Sequence, residues 1–174
     1  DLIDDGAEAI LVPRPRRFGK TTNLSMVRAY FDRGARSAAV VDRLSAQEEG
    51  ARAARWALFA DLAIAKAEPR YHAHFGRYPT IALSFKDVKT DNWPECQAGL
   101  VEVIAEVFKE HRALLDGLVD PEEAQQFRQL LQGVAPSPVL WGSLRLLTRL
   151  LHQHYGERAL VLIDEYDTPI HASF

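Results

Sequence analysis

Pro13-Arg14-Pro15-Arg16-Arg17-Phe18-Gly19-Lys20-Thr21-Thr22 decides how this chain is read, because it lies between an apolar run and a segment with helical spacing. Glycine, four residues, glycine-lysine and then serine or threonine is the pattern of a phosphate-binding loop. Gly19, Lys20 and Thr21 supply its second half, and Arg14 stands where its first glycine would be. In such loops successive backbone N–H groups and the positive end of the following helix surround phosphate oxygens. Lys20 would add a mobile point charge and the Thr21 hydroxyl would hold Mg²⁺.

The flanks carry the rest of this reading. Ala9, Ile10, Leu11 and Val12 form an apolar run suited to a short buried parallel strand. Leu24, Val27 and Phe31 recur at helical spacing, which predicts a helix from about Thr21 to about Gly34. Strand, loop and helix are the setting that the loop requires. The competing reading is an arginine-rich surface turn that merely starts a helix.

A second motif answers the first. The apolar strand Ala159-Leu160-Val161-Leu162-Ile163 runs directly into Asp164-Glu165. Two acids at the carboxyl end of a buried strand are costly unless something binds them, and ligands of parallel α/β sheets sit at that edge. Asp164 is placed near the Mg²⁺ shell that Thr21 completes, and Glu165 is placed to polarise the water that attacks a γ-phosphate. Taken alone, the pair reads equally well as a solvated strand end or a cap on a neighbouring helix. Beside a phosphate loop, the two motifs make one mechanism.

The intervening chain supplies elements of both kinds. Residues 35–57 are rich in Ala, Arg and Glu and read as a partly exposed helical insertion. Thr80 to Phe85 predicts a second buried strand. Leu100, Val103, Ile104, Val107 and Phe108 mark one apolar face of a helix within 93–115. Asp120-Pro121-Glu122-Glu123 starts another, with a capping acid, a first-turn proline and acids at the positive dipole end. Residues 133–138 read as a loop. Trp141 to Tyr155 predicts a helix with Leu144, Leu147, Leu150 and Leu151 inward, before Gly156 turns the chain into the last strand.

Composition narrows the classes. A chain of 174 residues is long enough for one domain with a substantial core. The balance of 21 basic and 24 acidic residues gives a net charge of −3, which offers no global field for nucleic acid and leaves a nucleic-acid partner undecided. Cys96 is the only cysteine, so an internal disulfide and a cysteine-based metal cluster are excluded, and a reducing cytoplasm fits. No apolar run reaches the length needed to cross a bilayer, so a membrane role is not expected.

Arg14 through Thr21, the segment Tyr78-Pro79 through Ser84-Phe85-Lys86-Asp87-Val88, and Leu162-Ile163-Asp164-Glu165-Tyr166-Asp167-Thr168-Pro169-Ile170 together resemble the AAA-ATPase-like family of prokaryotic P-loop proteins. They lie in family order across nearly the whole chain. The resemblance implies a three-layer α/β P-loop NTPase domain with a parallel sheet over 1–174, and ATP as the nucleotide. It carries Arg14 over as the family's own variant of the loop, Asp164 as the metal-associated acid and Glu165 as the catalytic acid. It also implies that the chain is a fragment without later strands, since family members continue further and many carry a nuclease-like domain of the PD-(D/E)XK type. A sensor-bearing strand would lie between the loop strand and the Asp-Glu strand, so a gap in the sheet, low stability and self-association at open edges are expected.

The site read from the sequence therefore comprises Arg14, Arg16, Arg17, Phe18, Gly19, Lys20, Thr21 and Thr22 toward nucleotide, Thr21 and Asp164 toward Mg²⁺, and Glu165 toward water. The leading functional reading is Mg²⁺-dependent ATP binding with slow hydrolysis that moves an attached module. A nucleotide-sensing module without turnover is the second; a small-molecule kinase would need a lid and an acceptor pocket that no segment supplies. Asp87 is a weak further candidate at the same sheet edge. The spacing of His72 with His74, and of His152 with His154, does not put either pair on one helical face as metal ligands need. Trp56, Trp93 and Trp141 read as helix anchors and Cys96 as inert.

Overall fold

A computed structural model describes residues 9–12, 18–34, 46–89 and 92–168. The chain folds as an α/β structure around two parallel strands, β1 (Thr80–Ser84) and β2 (Leu160–Asp164). Their register pairs Thr80 with Leu160 and ends on Ser84 with Asp164, so both carboxyl ends finish at one sheet edge. Side chains alternate along a strand, so helices reach both faces of β1, whereas β2 is not the buried strand its sequence predicts, since Val161 and Ile163 are exposed. Ile81 and Leu83 point into a cluster with Ile104, Val107, Phe108, Phe127, Leu130, Leu147, Leu150 and Leu151. Thr80, Ala82 and Ser84 lie on the opposite face with Leu160, Leu162 and Asp164, where helix α1 (Lys20–Phe31) packs.

The large cluster is built by helices with clear start and stop signals. Helix α4 (Trp93–Glu110) is capped by the Asn92 side chain, which accepts from the Glu95 N–H at 3.0 Å. Helix α5 (Pro121–Gln132) has the start that its sequence predicts: the Asp120 carboxylate accepts from Glu122 N–H at 2.8 Å and from Glu123 N–H at 3.3 Å. Phe108 of α4 and Phe127 of α5, both fully buried, meet edge to face at 4.8 Å. Burial of each such ring contributes about 1.5–3 kcal/mol. The chain then forms a short helix α6 (Ser137–Trp141) and, after Gly142, helix α7 (Ser143–Tyr155). Gly156 has φ +73°, the left-handed conformation that glycine adopts without cost, and turns α7 into β2.

A second, smaller cluster fixes the far end of α1. Tyr30, Phe59 and Phe75 are buried together with Trp56 against them, and the Tyr30 hydroxyl donates to the Tyr71 carbonyl at 3.0 Å. The covering pieces are α2 (Ala46–Ala57), a 3₁₀ turn at Ala63–Lys66 and α3 (Pro69–His72). Asp32 bridges to Tyr78 in parallel fashion, next to the start of β1. Helix α1 thus runs antiparallel to the strands, and twelve residues at 1.5 Å rise span about 18 Å, close to the length of a five-residue strand. Its N-terminus is thereby held at the carboxyl edge of the sheet.

Several expectations need correction. Residues 9–12 are not a buried strand: they have no regular structure, and Ile10, Leu11 and Val12 are exposed. A strand needs a ladder partner, and within the described residues the sheet consists of β1 and β2 alone. Trp93 and Trp141 do not anchor helices. Each sits at a helix end with its ring largely in solvent, whereas Trp56 does pack. Residues 137 and 138, read as the end of a loop, start helix α6, where Pro138 fits the first turn, and the helix read from Trp141 is divided at Gly142 into α6 and α7. Helix α1 ends at Phe31, three residues before Gly34. Of the segment 35–57, residues 46–57 form helix α2 and 35–45 lie outside the described residues.

One buried titratable group gives the fold a pH dependence. Burial pushes His111, at the end of α4, below the ordinary imidazole range, against opposite effects of Glu110 and Asp32; Arg28 adds a smaller lowering effect and the Thr80 backbone a smaller raising one. The folded state therefore holds this imidazole neutral to lower pH than the unfolded chain does. Its stabilising contribution is complete above the unfolded value of about 6.5 and is lost as pH falls below it. Urea midpoints should drop between pH 7.5 and 5.5, and less so in His111→Gln; parallel pH profiles for the two proteins would refute this.

Candidate phosphate and metal site

Gly19 precedes α1 with φ +67°, a left-handed conformation that glycine readily adopts. Its carbonyl accepts from Asn23 N–H at 2.9 Å, so Lys20, Thr21 and Thr22 form the first turn, where backbone N–H groups have no helical acceptor. No acidic residue occupies that turn. Lys20 is half-buried, while Phe18, Thr21 and Thr22 are exposed. Arg14, Arg16 and Arg17 lie outside the described residues.

The two motifs meet across 143 positions of sequence: the Thr21 hydroxyl donates to Asp164 Oδ2 at 2.6 Å. Asp164 is buried at 9% exposure, and its Oδ1 accepts from the backbone N–H of Glu165 at 3.1 Å. A buried carboxylate beside a threonine hydroxyl is a set of hard oxygen donors, which suits Mg²⁺ with its preference for oxygen and retained water. Among the described residues no group of three or more His, Cys, Asp and Glu side chains is placed to hold a metal without help from a ligand. A metal here would need oxygens from phosphate and water, as Mg²⁺–nucleotide sites have.

Glu165 leaves the strand with φ +53°, the one non-glycine residue with positive φ among those described. Such a backbone costs on the order of 1 kcal/mol or more and is found where neighbouring structure enforces it. The Glu165 carbonyl accepts from Thr168 N–H at 3.0 Å, closing a turn that carries Tyr166 and Asp167. Tyr166 is exposed and does not pack. Asp87 sits exposed in the turn after β1, without a hydrogen bond or ion pair among the described residues. The register also sets Ser84 on the same face as Asp164. Its sequence signal is slight: it is the first polar residue after the apolar run Ile81–Leu83.

The remaining candidates have structural partners. His72 Nε2 pairs with the Ile64 carbonyl at 2.8 Å, His74 with the Tyr78 hydroxyl at 2.6 Å, and Cys96 is buried. A cavity of about 480 Å³ lined by Trp56 and Phe75 lies near the C-terminal end of α1, away from Thr21 and Asp164. Glu49, Arg52 and His72 also line it, but neither the segment Gly19–Thr21 nor Asp164 and Glu165 does.

A family model for AAA-ATPase-like proteins, described as "Predicted AAA-ATPase", matches residues 1–174. The chain belongs to the AAA-ATPase-like family. No curated protein and no solved structure matches it. Membership accords with a parallel sheet and with a helix that starts at its carboxyl edge, and the family's description points to nucleotide use in general terms. In this AAA-ATPase-like chain no described helix is long and apolar enough to cross a membrane.

Proposed function

We propose that this chain is a Mg²⁺-dependent ATP-binding domain that hydrolyses ATP slowly and passes the resulting change to an attached module. The observation that carries the reading is the 2.6 Å hydrogen bond between Thr21 and Asp164, which joins the two motifs at one sheet edge. Backbone N–H groups from Arg16 to Lys20 and the Lys20 ammonium bind phosphate, with Arg14, Arg16, Arg17, Phe18 and Thr22 completing the loop. Thr21 and Asp164 hold Mg²⁺, which when bound neutralises charge on the β- and γ-phosphates. Glu165 orients and deprotonates the attacking water; it is half-buried and follows Asp164 directly in sequence. ATP, among nucleotides, rests on family membership.

The proposal is tested by Asp164→Asn in the full-length protein. The amide keeps the shape and removes the charge, so ATP affinity should fall about 10-fold or more in Mg²⁺ and change little in EDTA. Equal losses under both conditions, or none, would count against the metal assignment.

A further inference from the structure

Ser84 is drawn into the site by sheet geometry. Parallel strands stand about 4.8 Å apart, and residues opposite one another in register project from the same face. Ser84 is opposite Asp164, the last pair of the ladder, and the sheet remains closed one step further because Phe85 N–H donates to the Asp164 carbonyl at 3.1 Å. The Ser84 side chain is exposed at the same edge that receives the N-terminus of α1.

The hydrogen-bond inventory leaves one function of this hydroxyl unspent. Ser84 Oγ accepts from the Lys86 backbone N–H at 3.4 Å, and among the described residues no group accepts its proton. Asp164 already receives one hydrogen bond on each oxygen, from Thr21 and from the Glu165 N–H. A neutral donor beside a carboxylate that is so engaged is placed to bind what the carboxylate binds next: water ordered by a cation or by phosphate.

We propose that Ser84 is a positioning residue of the Mg²⁺–ATP site, donating its free proton to the ordered water that links Asp164 to the metal. This rests on the reading given above and deepens it. Lysine, arginine or a carboxylate at the same position would alter the charge of the shell; a hydroxyl orders water there without changing it. The role predicts dependence on the hydroxyl and not on side-chain volume.

The experiment is an ATP titration by calorimetry at graded Mg²⁺ and in EDTA, on full-length wild type, Ser84→Ala and Ser84→Thr. In Ser84→Ala the Mg²⁺ concentration giving half of the affinity gain should rise about fivefold, the size of one neutral hydrogen bond. Affinity in EDTA should stay at the wild-type value, and Ser84→Thr should restore the Mg²⁺ response. A wild-type Mg²⁺ response in Ser84→Ala would overturn the proposal, and so would an equal loss in EDTA, which would place Ser84 in the fold or on the nucleotide. A wild type that binds ATP identically with and without Mg²⁺ would overturn the site reading and this inference with it, a result distinguishable from failure of Ser84 alone.

Discussion

Replacing Glu165 by glutamine is expected to lower phosphate release from Mg-ATP about 100-fold or more while ATP binding persists. Glutamine matches the shape of glutamate and carries the same backbone cost at φ +53°, so the turn after β2 should survive the change. What disappears is a base able to take a proton from water, a contribution of roughly 10²–10⁴ in rate. Glu165 follows directly on Asp164, the last residue of β2, whose buried carboxylate is tied to Thr21. A loss confined to kcat is the signature of an interaction made in the transition state. Equal release by wild type and mutant would remove Glu165 from the mechanism.

Lys20→Ala should weaken Mg-ATP binding about 10- to 100-fold, the loss expected when a charged donor to phosphate is removed. Lys20 is the first residue of α1, directly after the left-handed Gly19, so its ammonium starts from the same turn as the unpaired backbone N–H groups. Lys20→Arg should not restore full affinity. A planar guanidinium is wider than an ammonium and directs its donors differently. Titration of both variants checks this, and wild-type affinity in Lys20→Ala would sink the assignment of the loop.

Local chemistry made much of this fold legible. Asp120 and Pro121 announce α5, Gly156 announces the entry to β2, and both strands stand out as apolar runs bounded by polar residues. Thr21 and Asp164, which their chemistry groups together in the sequence, are joined by a hydrogen bond. Partnership was what the sequence could not supply. Ala9 to Val12 looks like a strand from its own residues, yet strand formation depends on a neighbour that hydropathy does not reveal. Trp93 and Trp141 failed as anchors for a related reason, since their exposure depends on what faces each helix end. Ser84 was missed because side-by-side placement with Asp164 is a matter of register across 80 residues, which no spacing rule along the chain encodes. The kink at Gly142 was hidden by apolar spacing that runs on through it.

Phosphate release from Mg-ATP by the full-length wild-type protein tests the central claim most directly. Sustained release above the protein-free control, abolished by EDTA, is the predicted result. Binding of Mg-ATP with no release over many hours would contradict hydrolysis and leave a module that senses nucleotide without consuming it.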